Sequence, residues 1–161
     1  MVTRSSEGLH LQLGCPFKCD GYLCVDLSPI DEGVVRSEAV QWLETHVACY
    51  SEIKATNLLE HLPDAGRFFL ACRQALVSGG KLMVRTDNAA WLPFYLPIIK
   101  RWCFAAHACD DYKPSRMDAV HHYHVFSKMH LRHFCELAGL KVLRISWTTW
   151  GARLLLDAQK A

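Results

Sequence analysis

Gly14 closes one apolar run, LHLQL, and Asp26 closes the next, GYLCVD. A glycine lets the backbone approach a ligand closely because it carries no Cβ. A carboxylate at the tip of the neighbouring strand can accept two hydrogen bonds from ribose hydroxyls. This order suits a nucleotide-bearing cofactor. Only about a dozen residues separate Gly14 from Asp26, against roughly 20 in a dinucleotide fingerprint, and Gly-x-Gly-x-x-Gly is absent. A second group is Glu60–His61. A histidine there can take a proton near neutral pH, whereas a glutamate at a helix start satisfies free backbone N–H groups. A third is Asp87–Asn88, which ends an apolar run and also has turn-forming chemistry.

Histidines 121, 122, 124, 130 and 133 cluster near Cys135 and invite a metal reading. His130 and His133 stand three apart on a helical pattern, but no carboxylate of a metal motif accompanies them, and no metal is expected. Of the eight cysteines, Cys15, Cys19 and Cys24 are spaced four and five apart, and Cys-x-x-Cys occurs nowhere. They read as free thiols in a reducing compartment rather than zinc ligands.

The elements that must position these groups follow from length and pattern. A chain of 161 residues, 51% hydrophobic and 21% charged, fits one globular domain over residues 1–161. A net charge of +2 gives no nucleic-acid footprint, and Lys128, Arg132, Lys141 and Arg144 read as a solvated face. No apolar run approaches the ~20 residues of a membrane span. MVTRSSEG lacks the apolar core of a signal peptide, so residues 1–8 read as a flexible start and the protein as soluble and cytoplasmic.

Short strands are expected at Leu9–Leu13, Tyr22–Asp26, Gly33–Ala39 and Ser51–Thr56. Asp64 opens a helix whose Phe68, Phe69, Cys72 and Leu76 repeat at helical spacing; Ser78-Gly79-Gly80 stops it, and Lys81–Thr86 is the next strand. Trp91 to Ala106 reads as an interrupted helix. Ser127 caps a last helix that Gly139 ends, before strands at Lys141–Trp147 and Arg153–Ala158. Strands alternating with helices predict an α/β fold around a mostly parallel sheet. The Gly14–Gly21 connection offers eight residues where a parallel crossover usually takes a dozen or more, so local rules also allow a hairpin.

Five segments in register resemble the short class I S-adenosylmethionine-dependent methyltransferases, in particular the methyltransferase type 11 group. LHLQLGC resembles the family's first strand and glycine turn, and GYLCVDLSP its second strand with the ribose-binding acid. SEIKATNLLEHLPD is similar to the fourth strand and its Leu-Glu-His-Leu turn, and ACRQALVSGGKLMVRTDN to the helix, Gly-Gly turn and fifth strand. HYHVFSKMHLRHFCELAGLKVLRI resembles the C-terminal helix and strand; with TDNAAW, its HYHVF is most like archaeal members. The departure is the second glycine of Gly-Cys-Gly, for Pro16 follows Cys15 directly and brings no N–H.

The resemblance implies a Rossmann-like sandwich with helices on both faces of the sheet, and S-adenosylmethionine as cofactor. By it, Gly14 and Cys15 line the methionine end, Asp26 holds the ribose and Leu27 packs beside the adenine. Glu38 and Ala39 fall near the adenine amine, and Thr56, Asn57 and Leu58 turn beneath the cofactor. His61 and Asp87 are the expected catalytic or acceptor-orienting groups, and His122 and His124 belong to a loop closing over the acceptor pocket. An insertion over residues 89–123, with Trp91, Phe94, Tyr95, Trp102 and Phe104, would recognise a small-molecule or sugar acceptor. The glycine-poor loop also fits a methyltransferase-like domain that no longer catalyses and serves as a binding or partner module. A nicotinamide-dependent oxidoreductase matches the motifs less well.

Overall fold

The computed structural model describes residues 9–91, 123–148 and 151–161. Seven strands form one sheet in the order β3-β2-β1-β4-β5-β7-β6: β1 Leu9–Leu13, β2 Leu23–Asp26, β3 Val35–Arg36, β4 Tyr50–Thr56, β5 Leu76–Asp87, β6 Leu140–Trp147 and β7 Arg153–Lys160. β1 to β5 pair in parallel, and β7 runs antiparallel to both its neighbours. The connection from β1 to β2 is therefore a crossover, not a hairpin. Leu11, Gln12 and Leu13 lie opposite Leu23, Cys24 and Val25. Residues 14–22 make that step without a helix, held by Gly14 N–H to the Val25 carbonyl (3.0 Å) and Tyr22 N–H to the Cys19 carbonyl (3.1 Å).

Three helices are described: α1 Ala39–Thr45, α2 Ala65–Ala75 and α3 Lys128–Leu137. Each begins where a side chain satisfies its free N–H groups. Glu38 accepts from Val40 and Gln41, Asp64 accepts from Arg67, and Ser127 pairs reciprocally with His130. Gly139, at φ +70°, ends α3 in the left-handed conformation a glycine adopts without strain. Their apolar stripes meet Leu11, Leu13, Ile53, Ala55, Leu82, Val84, Leu154, Leu156 and Ala158 in one core. Phe69 stacks on Phe134 (ring centroids 5.7 Å apart), which locks α2 to α3.

The expected α/β fold around a mostly parallel sheet is what the chain adopts, and two details add to it. The β1–β2 and β2–β3 connections carry no helix, and the three described helices share one core against one face of the sheet. The opposite face alternates into polar residues. His10, Glu52 and Lys81 lie abreast on β1, β4 and β5, as do Gln12, Lys54 and Met83 one step further along. Tyr22 donates to Glu52 there and Lys54 donates to Tyr22. Asp157 pairs with Arg144 across β7 and β6. The second detail is in β5, which begins at Leu76 rather than Lys81. Leu76 faces Tyr50 and Lys81 faces Glu52, so Ser78-Gly79-Gly80 is an irregularity within the strand. A Cβ on Gly80 would sit 2.9 Å from the Val77 carbonyl oxygen, closer than side chains tolerate.

Residues 1–8, most of the 89–123 insertion, and with them His121, His122, Phe94, Tyr95, Trp102 and Phe104, lie outside the described residues. No helix among those described is long and apolar enough to cross a membrane.

Candidate active site at the carboxyl edge of the sheet

The carboxyl ends of β1, β2 and β4 open into one cavity of about 490 Å³, at the edge where open α/β sheets receive ligands. Gly14 forms its floor after β1 at φ +67°. A Cβ there would meet the Leu58 Cβ at 3.0 Å, so both backbone conformation and the approach of Leu58 demand glycine. Asp26 ends β2 on the rim. Its Oδ1 accepts the Ser28 N–H at 2.7 Å, which fixes the carboxylate, while Oδ2 accepts no hydrogen bond among the described residues. Leu27 lies beside it, half exposed.

Glu38 and Ala39 line the cavity as well. Both Glu38 oxygens are engaged, with Val40 N–H at 3.0 Å and Gln41 N–H at 2.7 Å, so its first role is to cap α1. After β4 the chain turns at Asn57, whose φ of +52° is one asparagine adopts more readily than most residues. Asn57 N–H donates to the Arg85 carbonyl at 2.9 Å, and Leu58 follows over Gly14. Asn57 and Leu58 both line the cavity. Cys15 and Thr56 are not among the lining residues; Thr56 pairs with Arg85 along the sheet, and the Cys15 thiol turns toward Cys19.

The 3-10 turn Leu59–His61 divides the Glu60–His61 pair. His61 lines the cavity. Glu60 is buried beneath it, where its Oε2 accepts the Thr86 hydroxyl at 2.7 Å. Burial pushes the Glu60 carboxyl above the usual carboxylate range, opposed by its backbone and Thr86 hydrogen bonds and reinforced by the Asp87 charge. Its carbonyl accepts Tyr123 N–H (2.8 Å) and His124 N–H (3.3 Å), which straps the chain before α3 across the turn. His124 Nε2 lies 3.3 Å from the Pro63 carbonyl.

Asp87 does not reach the cavity. It lies 3.8 Å from Arg153 Nε, and its carbonyl accepts Phe126 N–H at 3.4 Å. Nor does His130 face a ligand site, because its Nδ1 accepts Ser127 N–H in the cap of α3. Among the described residues no three metal-ligating side chains converge. Sequence reasoning missed the far wall, formed by Ser37, Leu62, Pro63, Asp64, Arg67 and Tyr123. Arg67 is held there by a two-bond pair with Glu44 at 2.6 and 2.7 Å. The signal was the start of α2, which faces the same edge as the strand ends.

No protein-family model matches the sequence, and no curated protein matches it. Solved structures do. An S-adenosylmethionine-dependent methyltransferase from Mesorhizobium loti superposes with a TM-score of 0.67 over 97% of this chain and 93% of its own, at 14% identity. A SAM-dependent methyltransferase from Methanosarcina mazei gives 0.65 over 97% and 93%, at 17% identity. A structure described as a possible exported protein from Bordetella parapertussis gives 0.64 at 15% identity over 96% of this chain, which spans 62% of that one. The strand order with its single antiparallel strand, and the likeness to these structures, give this chain the fold of the class I S-adenosylmethionine-dependent methyltransferases.

Proposed function

We propose that the protein is an S-adenosylmethionine-dependent methyltransferase acting on a small-molecule or sugar acceptor. The observation that carries this is the meeting of Gly14, Asp26, Asn57 and Leu58 in one cavity at the carboxyl edge of this sheet. The residues fit the cofactor. The volume lies in the range of small-ligand sites, and the free Asp26 oxygen can accept a ribose hydroxyl. When bound, S-adenosylmethionine supplies a methyl carbon made electrophilic by the adjoining sulfonium.

The chain's own part is mainly positional, since displacement at carbon needs its two partners in line and at reacting distance. Asp26 orients the nucleoside, and Leu27 and Val40 offer apolar contact to a base. Gly14 and Leu58 keep the centre of the cavity narrow, while His61, Asp64 and Tyr123 form the wall an acceptor would meet. His61 receives the proton of an acceptor that arrives as a hydroxyl; an acceptor with a free lone pair needs no base.

A binding module that does not catalyse is the second reading, favoured by one feature. Cys15 turns from the cavity and Pro16 brings no N–H, so the loop offers few donors to a carboxylate. Calorimetric titration with S-adenosylmethionine and methyl incorporation into cell extract test both readings. Binding with incorporation supports the enzyme, whereas binding without incorporation, or no binding at about 1 mM, removes the enzyme and supports the module.

A further inference from the structure

We propose that Cys15 and Cys19 form a reversible disulfide inside the β1–β2 loop, a redox-modification site for hydroperoxides on the border of the cavity. The two sulfurs already lie 3.5 Å apart. Bonding at about 2.0 Å asks for roughly 1.5 Å of closure. Both thiols point at the same acceptor, the Phe17 carbonyl, from 3.2 and 3.8 Å, so their side chains converge across a tight turn.

The surrounding frame does not depend on either sulfur. The Pro16 carbonyl accepts Ile30 N–H (2.9 Å) and Asp31 N–H (3.2 Å), and Lys18 N–H donates to the Asp31 carboxylate at 3.1 Å. The sulfurs can therefore close on each other while the loop stays anchored. Cys24 sits beneath as an acceptor, its sulfur 3.3 Å from the Cys19 nitrogen, which fixes Cys19 in place.

The contrast with the core thiols supports the assignment. Cys72 and Cys135 are buried, and loss of water pushes the Cys72 thiol far up and that of Cys135 to about 12. Such thiols are inert. Cys15 and Cys19 are only partly covered. Burial raises the Cys15 thiol more modestly, and the Cys19 sulfur lies within its reach at 3.5 Å.

In the reaction, the Cys19 thiolate attacks one peroxide oxygen and breaks the O–O bond; the departing hydroxide takes a proton to become water, and Cys19 is left as a sulfenic acid. The Cys15 sulfur then attacks the Cys19 sulfur, forming the S–S bond and expelling hydroxide, which takes the Cys15 proton and leaves as a second water. Two thiols are oxidised by one hydrogen peroxide, and a dithiol reagent restores them. On the methyltransferase reading, on which this clause rests, the cross-link stiffens the chain next to Gly14 and weakens cofactor binding severalfold.

The test is hydrogen peroxide added to the full chain, followed by alkylation of remaining thiols and tryptic mapping. Cleavage after Lys18 separates Cys15 from Cys19, so the bond joins peptides 5–18 and 19–36. Cys24 shares the second peptide, and the Cys24→Ser variant identifies the partner. The expected result is a joined pair in the wild type and in Cys24→Ser, lost in Cys19→Ser and reversed by dithiothreitol. Free Cys15 and Cys19 after oxidation, a Cys19–Cys24 bond, or Cys19 sulfinic acid beside free Cys15 would each overturn the site. Titrating both redox forms with S-adenosylmethionine reads the consequence. Weaker binding by the oxidised form supports it, and equal affinity overturns the coupling. If neither form binds, the cofactor reading fails while the mapped disulfide stands.

Discussion

At the scale of single residues, Asp26 and Glu60 illustrate two uses of a carboxyl group. Asp26 stands on a rim with one oxygen fixed and the other open. Replacing it with Ala should weaken S-adenosylmethionine binding by about tenfold or more, because a hydrogen bond to a charged acceptor contributes ~1.5–3 kcal/mol. Calorimetry on the variant measures this, and unchanged affinity would place the ribose elsewhere. Glu60 instead is buried against Thr86, with its pKa raised by loss of water. The folded state binds that proton more tightly than the unfolded chain does. Its contribution is full below the ordinary carboxylate range and is lost as pH climbs through the raised value. Glu60→Gln keeps an acceptor for Thr86 and removes the titration, so the variant's melting temperature should gain on the wild type as pH rises from acid to neutral. Parallel melting curves across that range would rule this out. The sequence made Asp26 legible because its place at a strand tip is local. It marked His61 as the reactive member of its pair and Glu60 as a helix-start acid, but the burial of Glu60 against Thr86 depends on a contact 26 residues away that no local pattern shows.

At the scale of elements, caps explain why the helices were easy to read. Asp64 and Ser127 carry ordinary N-cap chemistry, and α2 and α3 start where those residues predict. Glu38 is an uncommon cap, so the Gly33–Ala39 segment looked like a longer strand; only Val35–Arg36 pairs with β2 before Glu38 turns the chain into α1. Glu38→Ala should cost about 1 kcal/mol, visible in chemical denaturation with an unchanged slope. Since Glu38 also lines the cavity, the same variant shows whether loosening α1 lowers cofactor affinity. The β1–β2 step was ambiguous for a different reason. Loop length alone permits a hairpin, and the choice is made by distant partners, with β4 pairing along the other side of β1.

At the scale of the whole molecule, one core joins the helices to a single face of the sheet. Leu82 is fully buried in that core, and Leu82→Ala should destabilise the protein by ~2–5 kcal/mol. Its neighbour Met83 lies on the opposite face and is 37% exposed, so Met83→Ala should cost far less. Equal losses on denaturation would mean that something covers both faces. The sequence pattern carried the strands and their order of appearance, but sheet order and the cavity's far wall arise only when Asp64, Arg67 and Tyr123 are brought to the strand ends. The polar rows across β1, β4 and β5 have a final consequence. Parallel strands are ordinarily sealed on both sides, and almost any change in them is harmful. Here tolerance should come at every second position. A saturation scan along Ile53, Lys54, Ala55 and along Leu82, Met83, Val84 should show intolerant, permissive, intolerant. The permissive positions are where a fluorophore, an affinity handle or a surface graft can be attached to the middle of the sheet without disturbing the pocket at its end.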